Sequence, residues 1–435
     1  MPLAKPVLQI DPQSMPEGLE VMGPPQPPPP PRAGIDPEPR ASRVTIASSP
    51  RTPLLQTLTQ EAEHMRTGLS LLSLLGSLVA LSSARAADGP DLQAGAVFTM
   101  TDDATANAVL AFSRAADGSL TFKGSYPTGG AGSGGGEGVL GSQGSVTLSR
   151  NGRFLIVVNA GSDEVYSFRV QGSRLTLAGV ASSGGLLPVS VTEHDGIVYV
   201  LNAGGAGNIS GFTVGESGEL TPLTGSTRPL SSATSGAAQV AFDRSGDVLA
   251  VTEKAANAIA LYTVRHDGRV SGPSTIPSSG ATPFGFAFTG HDVLVVSEAG
   301  GGPGGTSAVS SYDVDERTAE VVSASVPDGQ HAACWLVVTR DGHRAFVANA
   351  GSGDISSYAL DRRGALTLLA GAAGVLPSGG KPLDVALTRD ERFLYDLDAG
   401  NHTLVAFARR PDGALDALGP QATGLPAQAV GIAVR

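Results

Sequence analysis

Apolar and aromatic positions recur along this chain at a regular interval. A β-branched residue or leucine is followed three positions later by Phe or Tyr at seven places: Val109/Phe112, Val165/Phe168, Ile209/Phe212, Ile259/Tyr262, Val309/Tyr312, Ile355/Tyr358 and Leu404/Phe407. Consecutive aromatic residues of this set lie 44 to 56 residues apart. An interval of this length is typical of a repeated unit built from one small antiparallel sheet.

Two further signals follow the same interval. Upstream of six of the aromatic residues is an apolar, small, apolar triplet that predicts a short buried strand: residues 146–148, 189–191, 240–242, 286–288, 336–338 and 385–387. Downstream of most of them is a hairpin-type turn, such as Asp117-Gly118 or Asp412-Gly413, in which glycine supplies a positive φ. The sequence therefore predicts an all-β fold, a seven-bladed β-propeller of four-stranded antiparallel blades.

The two ends of the repeat region complete one blade. No triplet precedes the first aromatic residue, whereas Ile432-Ala433-Val434 forms a seventh triplet with no blade after it. We therefore expect the C-terminal strand to pair with the N-terminal blade. Such pairing closes the ring and removes the exposed sheet edges of an open array.

The first 86 residues lie outside the repeat. Residues 1–64 are rich in proline and predict a disordered extension, and we expect the true start at Met65. Residues 65–86 combine Met65-Arg66, an apolar run from Leu69 to Leu81 and Ala84-Arg85-Ala86, the pattern of a secretory signal peptide. A short buried or membrane-anchoring helix is the alternative. Residues 87–435 form the propeller, and we expect a secreted or periplasmic protein whose mature form has no membrane span.

Charge and cysteine content narrow the possible partners. Residues 87–435 keep 22 basic and 33 acidic residues, 29 − 7 and 40 − 7 after subtraction of residues 1–86, so the net charge stays at −11. Such a surface disfavours nucleic acid and anionic lipid. Cys334 is the only cysteine, so no intramolecular disulfide can form, and a small buried residue is its simplest role. We expect a monomer.

The blade geometry separates two faces of the ring. The four strands of each blade are called a to d from the channel outward. The a–b and c–d turns lie on one face of the ring, called here the hairpin face. The b–c and d–a connections share the other, called the loop face. Tight turns such as Asn151-Gly152 and Asp341-Gly342 belong to the hairpin face. The Gly-rich stretches 129–138 and 300–305 and His331 belong to the loop face, where we expect binding groups to lie.

Strand b ends on the loop face in a recurrent amide or acid. The residues are Asn159, Asn202, Glu253, Glu298, Asn349 and Asp398, mostly followed by Ala-Gly. Hydrogen bonds to the local backbone explain the asparagines as turn-holding residues, and a ligand-binding role is the alternative. Glu253 and Glu298 place carboxylates where the repeat has an amide, so Glu253 with His331 is the candidate acid/base set and Glu298 a candidate binding residue.

No metal site or cofactor is predicted. The Gly-rich stretch from Gly129 is followed by a strand, whereas phosphate-cradling loops precede a helix N-terminus. No His/Cys cluster has the spacing of metal ligands.

Several phrases resemble a known family. Ser149-Arg150-Asn151-Gly152-Arg153-Phe154-Leu155, residues 388–395, Thr282 to Phe288 with Val296 to Ala299, and Ala333-Cys334-Trp335 are similar to segments of the lactonase-type seven-bladed propellers. That family groups propeller 6-phosphogluconolactonases with carboxy-muconate cyclases, and the resemblance extends over roughly residues 95–435. It implies a metal-free site at the channel mouth, where His, Arg and Glu act on a carboxylated or phosphorylated lactone.

The chain departs from that family at the cationic residues of the site. Glu253 matches a strand-b Glu, but Gln143-Gly144-Ser145 and Ala237-Ala238-Gln239 stand where the family has His and Arg before inner strands. Lys381 and His331 are possible substitutes, and Gln239 joins the candidate binding residues.

Two functions from different classes remain open. The first is an exported lactonase or lactone-forming cyclase acting on a small sugar-acid or muconate-type substrate. The second is a non-catalytic propeller that binds a cell-surface protein, a glycan or a carbohydrate-like small molecule. The segments 157–161 and 346–351 are similar to the YVTN-type repeats of cell-surface propellers and favour the second.

Overall fold

A computed structural model of the protein describes residues 95–135 and 140–435. The predicted extension 1–64 and signal peptide 65–86 lie outside the described residues, as do residues 136–139, which include the end of the first Gly-rich stretch. Within the described part of the chain, no helix combines the length and the apolar character that crossing a membrane requires.

The strands follow one another as antiparallel neighbours, four to a blade. Blade 1 begins with β1 (Gly95–Met100), β2 (Ala108–Arg114) and β3 (Leu120–Pro127). Blade 2 consists of β4 (Val146–Leu148), β5 (Phe154–Asn159), β6 (Glu164–Gln171) and β7 (Arg174–Ser182). Blade 3 consists of β8 (Pro188–His194), β9 (Ile197–Asn202), β10 (Asn208–Val214) and a divided outer strand, β11 (Leu220–Pro222) and β12 (Arg228–Pro229).

The next four blades repeat this order. Blade 4 contains β13 (Ala237–Phe242), β14 (Val248–Glu253), β15 (Ala258–Val264) and β16 (Val270–Pro277). Blade 5 contains β17 (Pro283–Phe288), β18 (Val293–Glu298), β19 (Ala308–Asp315) and β20 (Thr318–Pro327), with a 3-10 turn at Pro303–Gly305. Blade 6 contains β21 (Ala333–Val338), β22 (Arg344–Asn349), β23 (Asp354–Leu360) and β24 (Leu366–Val375). Blade 7 contains β25 (Pro382–Leu387), β26 (Phe393–Asp398), β27 (Thr403–Arg409) and β28 (Leu415–Thr423).

The last strand closes the ring as the sequence predicts. Strand β29 (Val430–Val434) pairs antiparallel with β1, with Val97 opposite Val434 and Met100 opposite Val430. Blade 1 therefore has the order β29-β1-β2-β3, and the seven-bladed propeller is confirmed.

The amino-acid pattern of each strand follows its depth in the blade. The b strands β5, β14, β18 and β26 are buried along their whole length because neighbouring blades cover both of their faces. They are accordingly continuous apolar runs rather than alternating ones. The outer strands β3, β7 and β20 alternate between exposed and half-buried residues, since one face of each meets solvent.

Tyrosine hydroxyls add polar links between neighbouring blades. The Tyr199 hydroxyl donates to the Gly268 carbonyl at 2.9 Å, and the Tyr262 hydroxyl donates to the Pro229 carbonyl at 2.9 Å. Tyr199 lies on strand b of blade 3 and Tyr262 on strand c of blade 4. In both tyrosines the ring is buried while the hydroxyl keeps a hydrogen-bond acceptor.

Candidate functional site

Glu253 ends strand β14 on the loop face and is fully buried. One carboxylate oxygen accepts the Ser231 N–H at 2.9 Å, and the other accepts the Ser231 hydroxyl. Ser231 lies in the connection that leads into blade 4, so this carboxylate holds a d–a loop against the end of its own strand b. The local, turn-holding role therefore accounts for the contacts of Glu253.

Glu298 ends strand β18 in the neighbouring blade and is also fully buried. Its carboxylate accepts the Gly280 N–H at 2.8 Å and the hydroxyls of Ser278, Ser310 and Ser325 at 3.2, 2.6 and 2.7 Å. A carboxylate with this many donors is saturated by the protein. Glu253 and Glu298 therefore belong to two separate networks of serine donors.

The amide and acid side chains at the other b-strand ends are used in the same way. Asn159 donates to the Thr128 hydroxyl at 2.8 Å, and Asn202 donates to the Ser183 carbonyl at 3.1 Å. Asn349 donates to Asp354 at 2.9 Å, while Asp398 accepts the Lys381 N–H at 2.8 Å. Each pair joins the end of strand b to its own b–c turn or to the adjoining d–a loop, as a structural repeat requires.

His331 and the glutamines occupy different environments. His331 is exposed on the loop face, where its backbone N–H donates to the Ser352 hydroxyl at 2.9 Å. Gln239 is buried and links inner strands of adjacent blades, because its amide donates to the Phe286 carbonyl at 3.0 Å and accepts the Phe286 N–H at 2.7 Å. The structure thus does not bring His331 and Glu253 into one described cavity.

A short segment crosses the central channel near the loop face. This channel plug comprises residues 140–144, shortly before strand β4. The Gln143 amide donates to the Leu336 carbonyl at 2.8 Å and accepts the Leu336 N–H at 3.0 Å. The Trp335 indole donates to the Ser142 carbonyl at 2.8 Å, and the Ser142 hydroxyl donates to the Val189 carbonyl at 2.8 Å. The plug is therefore tied to inner strands of blades 3 and 6.

A buried lysine adds a further contact to the plug. The Lys254 ammonium donates to the Gly141 carbonyl and lies 4.8 Å from the centre of the Phe284 ring. Burial lowers the pKa of Lys254 and raises the pKa of the nearby Cys334 thiol to about 12. Cys334 is thus a protonated, unreactive thiol, consistent with the packing role that the sequence suggests.

The channel is open at the hairpin face. A cavity of about 450 Å³ lies there, called here the central cavity, with Gln143, Phe286 and Leu336 at its base. Its rim includes Arg150, Arg340, Arg389 and Arg435, together with Glu391. The plug and the inner strands therefore form the floor of a cup whose opening carries guanidinium groups.

The position of these arginines follows from the a–b turns. Arg150, Arg340 and Arg389 are each the second residue of a short polar turn that begins where an inner strand ends, and Arg244 of blade 4 has the same position: Ser149-Arg150-Asn151-Gly152, Asp243-Arg244-Ser245-Gly246, Thr339-Arg340-Asp341-Gly342 and Thr388-Arg389-Asp390-Glu391. Arg435 instead follows strand β29. The first residue caps the turn, as the Ser149 hydroxyl accepts the Phe154 N–H at 2.9 Å. The second residue is left to project beside the channel mouth.

Acidic residues at this mouth have defined partners. Glu391 accepts the Arg340 N–H and lies 3.6 Å from the Arg409 guanidinium, with its side chain mostly buried. Glu193 accepts the Arg150 N–H at 2.7 Å and the Gly196 N–H at 2.7 Å. Among the described residues, the guanidinium groups of Arg340 and Arg389 have no hydrogen-bond or ion-pair partner.

The arginine set lies outside the residues expected from the sequence, although its pattern is visible there. Ser149-Arg150 and Thr388-Arg389 belong to phrases that carry the family resemblance, and the Gly152 turn is one of the predicted hairpins. The repetition of Arg directly after the first turn residue in four blades was the available signal. These arginines form one set because all four turns lie at the same mouth of the channel.

Part of the chain matches a known protein family. Residues 105–229 match the family model described as Lactonase, 7-bladed beta-propeller. The resemblance to the lactonase-type propellers is confirmed. No curated protein matches the sequence.

Solved structures extend this lactonase-type propeller fold over the described ring. A candidate 6-phosphogluconolactonase from Bacteroides fragilis has a TM-score of 0.59 at 15% identity, over 80% of this chain and 100% of its own. Another from Bacteroides uniformis has a TM-score of 0.61 at 16% identity, over 78% and 98% of the two chains. The periplasmic gluconolactonase of Pseudomonas aeruginosa has a TM-score of 0.60 at 17% identity, over 77% and 98%. At these identities the similarity establishes the fold.

Proposed function

We propose that this protein is a lactonase-like propeller that opens, or in reverse forms, the ring of a small sugar-acid or muconate-type lactone. The central cavity carries the proposal, because it combines guanidinium groups and a carboxylate on the axis of a lactonase-type fold. Its volume of about 450 Å³ lies within the range of small-molecule sites.

The arginines would orient an acidic substrate. Arg340 and Arg389 present exposed guanidinium groups with no partner among the described residues, and both line the central cavity. Guanidinium groups bind carboxylate and phosphate by paired N–H donors and also stabilise a developing oxyanion. They supply, at the hairpin face, the cationic group that the sequence lacks before its inner strands.

Glu391 is the carboxylate placed to move a proton. In hydrolysis, it would accept a proton from water as the water oxygen bonds to the lactone carbonyl carbon. The ring carbon–oxygen bond then breaks, and the proton passes to the released ring oxygen, giving a hydroxy acid. The Arg340 N–H and the Arg409 guanidinium fix the position of the Glu391 carboxylate beside the cavity for the first step.

A turnover assay with matched variants tests this proposal. We expect the purified protein to accelerate opening of gluconolactone, 6-phosphogluconolactone or carboxymuconolactone above the spontaneous rate. Glu391→Gln should lower kcat by about 100-fold or more, and Arg389→Ala should raise KM by about tenfold or more. The exposed Glu320→Gln and Arg362→Ala are the controls and should leave both constants unchanged.

The loop-face residues are tested by the same assay. Glu253→Gln with an unchanged melting temperature but lost turnover would place the reaction at the loop face, with Glu253 and His331 as acid and base, and would contradict the role of Glu391. Absence of turnover on all three lactones, with binding of the corresponding hydroxy acids retained, would favour the non-catalytic function. The cavity favours a small acidic ligand for that function as well.

Export is part of the proposal and rests on the sequence of residues 65–86. Expression of the full chain in a bacterial host should yield a periplasmic or secreted form that begins at Ala87. A cytoplasmic protein that retains residues 65–86 would contradict export.

A further inference from the structure

Three cavities adjoin one another on the hairpin face. Arg340 and Arg389 line the central cavity and two further cavities, of about 580 and 540 Å³. The first of these also contains Arg114 and Arg435, and the second contains Arg150, Arg244 and His194. The three cavities share residues, so they form one arginine-rich surface across the channel mouth, called here the arginine surface.

We infer that the arginine surface binds a segment of an acidic polysaccharide, such as a uronic-acid polymer. The inference extends the proposed function, since it concerns the same channel mouth, but it does not require that any lactone be turned over. A single small lactone would occupy the central cavity, whereas the flanking cavities offer cationic groups that such a ligand would not reach.

The arginines come from widely separated parts of the ring. Arg150 follows strand β4 of blade 2, Arg244 follows strand β13 of blade 4, and Arg340 follows strand β21 of blade 6. Five arginines that reach solvent thus face one mouth of a chain whose formal net charge is −11: Arg150, Arg244, Arg340, Arg389 and Arg435. Arg114 is 2% exposed and lies 3.5 Å from the Asp390 carboxylate, so it belongs to the wall of the surface. A local excess of positive charge on an acidic protein indicates a specific anionic ligand rather than general attraction to anions.

The acidic residues of the surface favour a glycan over a nucleic acid. Glu193 and Asp243 line one flanking cavity, Asp390 the other and Glu391 the central one. Carboxylates repel the continuous phosphate backbone of a nucleic acid, but they accept hydrogen bonds from sugar hydroxyls. A uronic-acid chain carries both a carboxylate and hydroxyls on every residue, which matches this mixture.

The aromatic residues of the surface support the same choice. Phe286 in the central cavity is 1% exposed and Phe242 in the flanking cavity is 9% exposed. Single-stranded nucleic acids bind proteins by stacking bases on exposed aromatic rings. These two rings are covered by their own blades and provide no such platform.

Calorimetric titration of the full chain with galacturonic acid, a galacturonate oligomer and polygalacturonate tests the inference. We expect affinity to rise by at least about tenfold from monomer to oligomer, because additional charged contacts act together. Binding should weaken as salt is added. Arg244→Glu should weaken oligomer binding about tenfold or more while leaving lactone turnover and monomer binding unchanged.

Controls separate this inference from the proposed function. Arg362→Ala changes an exposed arginine in a c–d turn of the same face, outside the three cavities, and should bind the oligomer like the unmodified protein. Glu391→Gln should abolish turnover but retain oligomer binding. Arg244→Lys should restore part of the binding if charge at this position matters.

Several results would overturn the inference. Equal affinity for monomer and oligomer would confine the ligand to the central cavity. Equal affinity for a neutral glucan would remove the role of charge. Tighter binding of single-stranded DNA than of polygalacturonate would make the partner a nucleic acid instead.

Discussion

Asp396 lies in strand β26 with both carboxylate oxygens buried and without a hydrogen-bond partner in the described part of the chain. Burial raises the pKa of Asp396 well above its usual range, and the neighbouring Asp398 and Asp384 raise it further. Asp384 is equally buried, but the Val385 and Ile432 N–H groups donate to it. Asp396 is therefore a buried acid whose charged form the described part of the fold does not stabilise.

The raised pKa of Asp396 predicts how stability depends on pH. The folded state binds a proton that the unfolded chain releases near pH 4, so the free energy of unfolding falls as pH rises from there through the raised value. Asp396→Asn should flatten this dependence and raise the free energy of unfolding at neutral pH by about 1 to 3 kcal/mol.

Urea unfolding between pH 4.5 and pH 8 measures this effect, with the exposed Asp315→Asn as the control. An Asp396→Asn variant that is less stable than the unmodified protein at pH 8 would show that the carboxylate has a stabilising partner.

Residue-scale signals at the ends of the b strands were open to two interpretations from the sequence. An Asn or Glu at the end of a strand looks the same whether it binds a ligand or holds a loop. The hydrogen-bond partners distinguish the two roles. For Glu298 they are four donors from its own blade and adjoining loop. These partners are between 12 and 27 residues away in the sequence, beyond the reach of any local turn pattern.

At the scale of elements, the channel plug separates the two ends of the channel. Gln143 reaches an inner strand 193 residues further along the chain and satisfies both backbone groups of Leu336. These bonds are buried, so their loss leaves polar groups without partners.

Gln143→Ala should lower the free energy of unfolding by about 1 to 3 kcal/mol and deepen the central cavity. Urea unfolding measures the first effect. The exposed Gln171→Ala on strand β6 serves as the control. An unchanged stability of Gln143→Ala would show that the plug does not depend on this residue for its position.

At the scale of the whole molecule, one strand pairing closes the ring. Without β29, strand β1 would present an unpaired edge, and Leu425 and Ile432 would no longer cover the core shared with blade 7. Open sheet edges promote association between chains.

Truncation after Gly424 should therefore lower the melting temperature and promote aggregation, as measured by scanning calorimetry and light scattering. A synthetic peptide of residues 425–435 should restore part of the stability when added in excess, whereas a scrambled peptide should not. A truncated protein as stable as the full chain would contradict the closure by β29.

The amino-acid sequence by itself determined the blade number, the strand order and the closure. The blade number and strand order depend on patterns within about 50 residues, namely apolar runs, hairpin turns and their repetition, and local physical chemistry governs such patterns. The closure follows from the one triplet, residues 432–434, that has no blade after it. The match of residues 105–229 to the lactonase-type model depends on the same local phrases.

Only the tertiary structure decided which end of the channel is open. The plug depends on contacts between blades, and the arginine surface depends on turns from several blades meeting at one mouth. The pattern of a single repeat predicts neither the plug nor the arginine surface, because every blade has turns at both of its ends. The position of the site was therefore set by what fills the channel, a property of the closed ring.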